Sequence, residues 1–191
     1  ASAGLPLIAS AAPVWTASTW TWGEFTPVAN NLIAGIKTTG NIAILTDGVL
    51  EKGNTYAQYT GNGASYKWEL PEPANVREVR IFTTWNDIGR VDIRINSIIA
   101  TLEGGTSATL SPGAHSNTLR APSGYPFSSL KDSTGALLAQ KVTAITVNFG
   151  TQQSSGVGYG AIEVVGPSTN KNYVAVSSSG VEFDTPQRGS T

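Results

Sequence analysis

Short runs in which apolar and polar residues alternate recur along the chain, and no stretch carries the longer period of a helix. Val91-Asp92-Ile93-Arg94-Ile95 is the cleanest of them. A side chain that repeats every second residue on one face marks a half-buried β-strand. Ile145 to Phe149 repeats the pattern, Ala161 to Val165 places Ile162 and Val164 inward, and Tyr66 to Leu70 buries Trp68. Val76 to Phe82 follows less cleanly, with Val79 and Ile81 as its inward pair. Turn-forming clusters such as GNGAS, EGGTSA, SPGAHSN and TQQSSGVG separate these runs. Many short strands joined by turns specify an all-β chain, an antiparallel jelly-roll-like β-sandwich. NLIAGI makes a single turn at most, and no internal repeat is present.

The chain is 191 residues long, enough for one sizeable domain and short for two. Its net charge is −1 with only 13% charged residues, so no electrostatic field draws in nucleic acid or an anionic membrane. No apolar run is long enough to cross a bilayer as a helix. Cysteine is absent, which removes disulfides, thiol nucleophiles and thiolate metal ligands. Scarce Lys and Arg with abundant Ser, Thr, Gly and Asn accord with a secreted or cell-surface bacterial protein. The apolar opening ASAGLPLIASAAP lacks a basic leader region and reads as a mature terminus or linker, with the remnant of a signal-peptide junction as the alternative.

A catalytic role finds little support. The single histidine, His115, lies in a Gly/Pro-rich stretch with no nucleophile-elbow motif beside it. A paired-carboxylate mechanism could draw on Asp47, Glu51, Glu69, Asp87, Asp92, Glu103 or Glu163, but Asp92 and Glu163 fall on outward faces of alternating strands as ordinary solvated charges. GNG and GVGYG lack the lysine and the strand-to-helix context of a phosphate loop. The expectation is a non-enzyme.

Aromatic residues near turns carry a stronger signal. A neutral sugar offers no charge to grip, so proteins stack its C–H face on an aromatic ring and fix its hydroxyls with planar polar groups. Three groups fit that chemistry. Trp85, Asn86 and Asp87 follow an apolar run; His115, Asn117, Arg120, Tyr125 and Phe127 share a long stretch from Leu110 to Gln140 that reads as mostly irregular; Trp15, Trp20 and Trp22 cluster near the start. A long loop in a small domain is usually functional or disordered. Trp20 and Trp22 share one strand face and read as core, as does Trp68. Tyr125 and Phe127 could equally plug the loop onto the sandwich, and Trp85 could cover the end of the core or hold a ligand. Arg90, directly after Gly89 at a strand start, reads as structural.

The order of segments NNLIAGIKTTG, ILTDGV, YKWELPEPANVREVRIFTTWNDIGRVDIRI, LKDSTGALLAQKVTAITVNFG and GYGAIEVVG resembles the discoidin or F5/8 type C domains. These belong to the galactose-binding-domain-like superfamily and include many bacterial carbohydrate-binding modules. The resemblance runs from Asn30 to Gly166. It implies a sandwich over residues 30–167, with an N-terminal extension bearing a Trp-rich strand at 1–29 and a C-terminal strand with a flexible tail at 168–191. It further implies glycan or polysaccharide as the partner, bound by loops at one end, and a neighbouring catalytic or surface domain in the same protein. Ligand-binding candidates are Trp85, Asn86, His115, Asn117, Arg120 and Tyr125. Many members hold a structural Ca²⁺ with an Asp-Gly loop and the closing strand, which points to Asp47. The family's closing strand usually carries a Glu where this chain has Ala161, so Glu163, with a shifted register, is the second candidate ligand. The alternative function is a structural or protein-interaction sandwich without a sugar site. Membrane binding through apolar loop tips ranks below both.

Overall fold

Alternation in the sequence becomes two faces in the structure. The computed structural model describes residues 12–53, 57–85, 87–122 and 124–167, together with two short strands beyond them. Ten strands precede residue 167: β1 Pro13–Trp20, β2 Gln58–Thr60, β3 Ser65–Val76, β4 Glu78–Thr83, β5 Ile93–Leu102, β6 Ser107–Thr109, β7 His115–Asn117, β8 Tyr125–Asp132, β9 Ala139–Phe149 and β10 Val157–Val165. One sheet runs β1-β8-β4-β10-β2; the other runs β3-β9-β5-β6, with β7 also paired to β5. Every pairing is antiparallel. Helix is confined, among the described residues, to the 3₁₀ turns Ile44–Thr46 and Ile88–Arg90. None is long and apolar enough to cross a membrane.

The two sheets face each other across one core. Val79 and Ile81 of β4, Leu130 of β8, and Ile162 and Val164 of β10 meet Trp68 of β3, Ile93, Ile95 and Ile98 of β5, and Ile145, Val147 and Phe149 of β9. The inward residues of the alternating runs all take part, so the β-sandwich expected from the sequence is the fold observed. Packing of this density makes each large side chain count. β3 is an edge strand, and Pro71 and Pro73 on it lack the N–H groups a further strand would need.

Three expectations need correction. The Trp-rich strand is not an extension, because β1 pairs with β8 along its full length from Pro13↔Asp132 to Trp20↔Tyr125 and forms the edge of the first sheet. The stretch from Leu110 to Gln140 is not mostly irregular either, since it contains β7 and β8, the latter an interior strand between β1 and β4. β8 hides its nature because polar Ser128 and Ser129 are buried along with Leu130, so no apolar alternation survives. Asp92 and Glu163 do point away from the main core, but neither is solvated: they are 4% and 2% exposed. Beyond residue 167, β11 Val174–Val176 pairs, among the described residues, with β12 Val181–Phe183, and the expected flexible tail lies outside the described residues.

Trp68 is fully buried at the centre of the core. Trp68→Ala should therefore lower the unfolding free energy by about 3–5 kcal/mol, read by urea denaturation.

Candidate functional site

The stretch GVGYG, Gly156 to Gly160, leads into β10 and forms its first residues, and it is the seat of the site. Val157 and Tyr159 point into the main core, so by alternation Gly156 and Gly158 face outward. A β-carbon on Gly158 would stand 2.3 Å from the indole of Trp85, and one on Gly156 would stand 2.3 Å from the ring of Tyr59. The two rings thus lie directly on bare backbone, which only glycine allows. They lean on each other, with centroids 6.0 Å apart and planes at 46°. Gly160 repeats the device for the methyl group of Thr84. Trp85 is accordingly neither core nor a loose loop residue: it is half-buried, held from below by β10, next to the 39%-exposed Tyr59.

Polar groups tie the surrounding loops together. Gln153 accepts from the N–H groups of Val91 and Asp92, both at 2.8 Å, and donates to the carbonyl of Ile88 at 3.0 Å. The Tyr59 hydroxyl donates to Ser155 Oγ at 2.6 Å. Arg90 lies over the Tyr59 ring at 5.8 Å and pairs with Asp87 at 3.5 Å. Arg120 donates to the carbonyls of Ile88 and Thr118, each at 3.0 Å, and binds the Asp92 carboxylate, which also takes Arg94 at 3.2 Å. Four segments, around 59, 85–92, 118–120 and 153–156, therefore form one braced end of the sandwich. A charge as buried as Asp92 is stable only when paired this way.

The sequence candidates do not all gather here. Trp85 and Arg120 belong to this end, although Arg120 is spent on bracing loops. Asn86 lies outside the described residues. Tyr125 sits on the outer face of the first sheet in a second aromatic cluster with Trp20, Phe82 and Phe127, and stacks at 6.4 Å on Trp22, which is 48% exposed. Trp20 is buried, whereas Trp22 falls beyond the strand end, so the pair does not share one fate. Asn117 is 1% exposed, and its amide nitrogen donates to the carbonyls of Ser18 and Phe127 while its oxygen accepts from Leu119 N–H. Nothing of that amide is left for a ligand, and Asn117 leaves the candidate set. His115 stacks flat on Trp15, with centroids 4.2 Å apart, and its Nε2 meets Ser128 Oγ at 2.8 Å. It borders a separate shallow groove of about 270 Å³ with Arg94, Asn96 and Gly150. Tyr59 was missed by the sequence reading; the available signal was the Gly-x-Gly-x-Gly spacing, which fits a strand that carries rings on one face.

The residues proposed for calcium do not fit it. Asp47 Oδ1 lies 2.9 Å from the ammonium of Lys52 and accepts from Val49 N–H at 3.0 Å. Glu163 is engaged elsewhere, by Val28 N–H at 2.8 Å and by Arg80 at 3.3 Å, and Arg80 in turn lies over the rings of Phe25, Phe82 and Phe127. Burial pushes the Glu163 carboxyl up from its ordinary range, against the pull of Val28 N–H and Arg80. Among the described residues no three His, Cys, Asp or Glu side chains converge.

No known family model matches the chain, and no curated protein matches it. Among solved structures, the chain is similar to the CpGH89CBM32-4 module produced by Clostridium perfringens, at 13% identity over 71% of this chain and 98% of that one, with a TM-score of 0.46. It is similar to the lectin domain of lectinolysin complexed with Lewis b antigen, at 10% identity over 80% and 93%, with a TM-score of 0.41. A third is CBM32-1 from a family 31 glycoside hydrolase of Clostridium perfringens, at 11% identity over 79% and 93%, with a TM-score of 0.42.

If Trp85 rests on Gly158, the two positions must be energetically coupled. Gly158→Ala should cost about 1–3 kcal/mol in the native chain and much less in a Trp85→Ala background, read by urea denaturation of the four-member cycle. His115 supplies a pH test. Burial lowers its pKa from the ordinary 6.5, so the fold favours the neutral ring. Stability from this group is complete above 6.5 and declines as pH falls from there through the lowered folded value. His115→Gln should flatten that part of the stability–pH curve.

Proposed function

We propose that this domain is a non-catalytic carbohydrate-binding module, with the Trp85–Tyr59 pair as its stacking surface. The observation that carries the reading is the seating of two partly exposed rings on bare glycine backbone at a braced end of the sandwich. Such a platform holds its shape before a ligand arrives, which lowers the ordering cost of binding. A pyranose ring presents a C–H face to it, while Arg90, Asp87 and the Ser155 hydroxyl stand around the platform as hydrogen-bonding groups. Affinity from one shallow site of this kind is weak, about millimolar to micromolar, and gains by multivalency. The module fits a secreted or cell-surface bacterial protein, alongside a catalytic or surface domain that it holds near glycan.

A protein-interaction domain is the second reading, and one observation favours it. Ile88 is 70% exposed and Leu119 is 48% exposed at the same end. The arginines beside them pair with Asp87 and Asp92, which leaves little free positive charge for an anionic membrane and suits an apolar protein contact better.

A broad glycan array decides between the two. A glycan hit should be lost in Trp85→Ala and in Tyr59→Ala, with the circular dichroism of the fold retained, and kept in Tyr125→Ala. Absence of any hit, with a protein partner lost on Ile88→Asp, would replace the glycan reading by the second.

A further inference from the structure

The loop that follows Asp47 encloses a cation of its own. The 3₁₀ turn Ile44–Thr46 ends at Asp47, Gly48 turns the chain with φ +82°, and the backbone then folds back so that the Lys52 side chain lies beneath it, 2% exposed. An ammonium group has three N–H donors. Those of Lys52 have three oxygen partners: Asp47 Oδ1 at 2.9 Å and the carbonyls of Val49 and Gly160. Gly160 precedes Ala161, the position where the resembled family carries a carboxylate for its metal. One acidic ligand is thus absent, and a positively charged side chain stands among the remaining oxygens.

A buried charge survives only when its surroundings compensate it, and burial does lower the pKa of Lys52 against the pull of Asp47. A calcium ion wants six to eight oxygens, most of them free of other cations. It cannot share this cage with an ammonium, because two cations at van der Waals distance repel strongly in a site shielded from water. The cage is also tied to the candidate binding end: Thr84 Oγ1 donates to the carbonyl of Lys52, and Thr84 immediately precedes Trp85.

We propose that the Lys52 ammonium is the resident cation of this loop and replaces the calcium ion that the resemblance implies, so that the fold is independent of divalent metal. The inference stands apart from the glycan reading, since its test measures folding and requires no ligand. Thermal unfolding of the native chain should give superimposable curves in EDTA and in millimolar calcium; a melting temperature raised by calcium or lowered by EDTA would overturn it. Asp47→Asn and Lys52→Met should each lower the melting temperature by several degrees. The double variant should lose no more than Lys52→Met alone, because an Asp47 carboxylate without its ammonium no longer stabilises the loop. Additive losses, or a Lys52→Met variant that melts like the native chain, would refute the assignment. Should Lys52→Met not fold, the native chain's response to calcium decides the matter by itself.

Discussion

β10 is buried on both faces, and the rest of the molecule is arranged around that fact. All nine of its residues are buried. Its inner face gives Val157, Tyr159, Ile162 and Val164 to the inter-sheet core. Its outer face has to be covered by something else, and the coverings differ along its length. Tyr59, Trp85 and Thr84 lie on Gly156, Gly158 and Gly160, Phe82 and Leu50 pack with Ala161, and Arg80 sits against Glu163. Removing the β-carbon at three positions lets rings and loops approach the strand backbone closely, and it places the candidate platform where the sheet ends.

Buried charge is the second theme, and it is unexpected in a chain with so few ionisable residues. Asp92 with Arg94 and Arg120, Glu163 with Arg80, and Lys52 with Asp47 all involve a member that water scarcely reaches. Replacing such pairs with apolar residues often costs nothing, so their value lies in position more than in stability. Each one joins segments distant in sequence: the 84–92 loop to 118–120, the Val28 region to β10, and the Asp47 turn to Gly160. Loops held in this way can present side chains with little motion, which a shallow binding surface needs.

Much of the fold was legible residue by residue. Val79 and Ile81, Ile162 and Val164, Trp68, and the Ile145–Phe149 run took the faces that their alternation dictated, because each strand has one face in the core. β8 escaped because its buried positions are held by Pro126, Ser128, Ser129 and Asp132 as well as Leu130, so its composition of Ser, Pro and Lys looked like a loop. The site was legible only in part. Trp85 stood out as an aromatic at a strand end, but its partner Tyr59 lay in a stretch with no pattern of its own. Asn117 had the right chemistry for a sugar and turned out to bind two strands together.

The sequence by itself determined an all-β chain with its strands, turns and inward residues, since those follow from local periodicity and from the backbone demands of Gly and Pro. It also excluded thiol and histidine-cluster chemistry through the residues it lacks. Only the tertiary structure decided which outward residues stay outward. Solvation of Asp92, Glu163 and Lys52 depends on what other segments lay over them, and no local rule encodes that. The same holds for the platform, where two rings meet because strands distant in sequence pair beside three glycines.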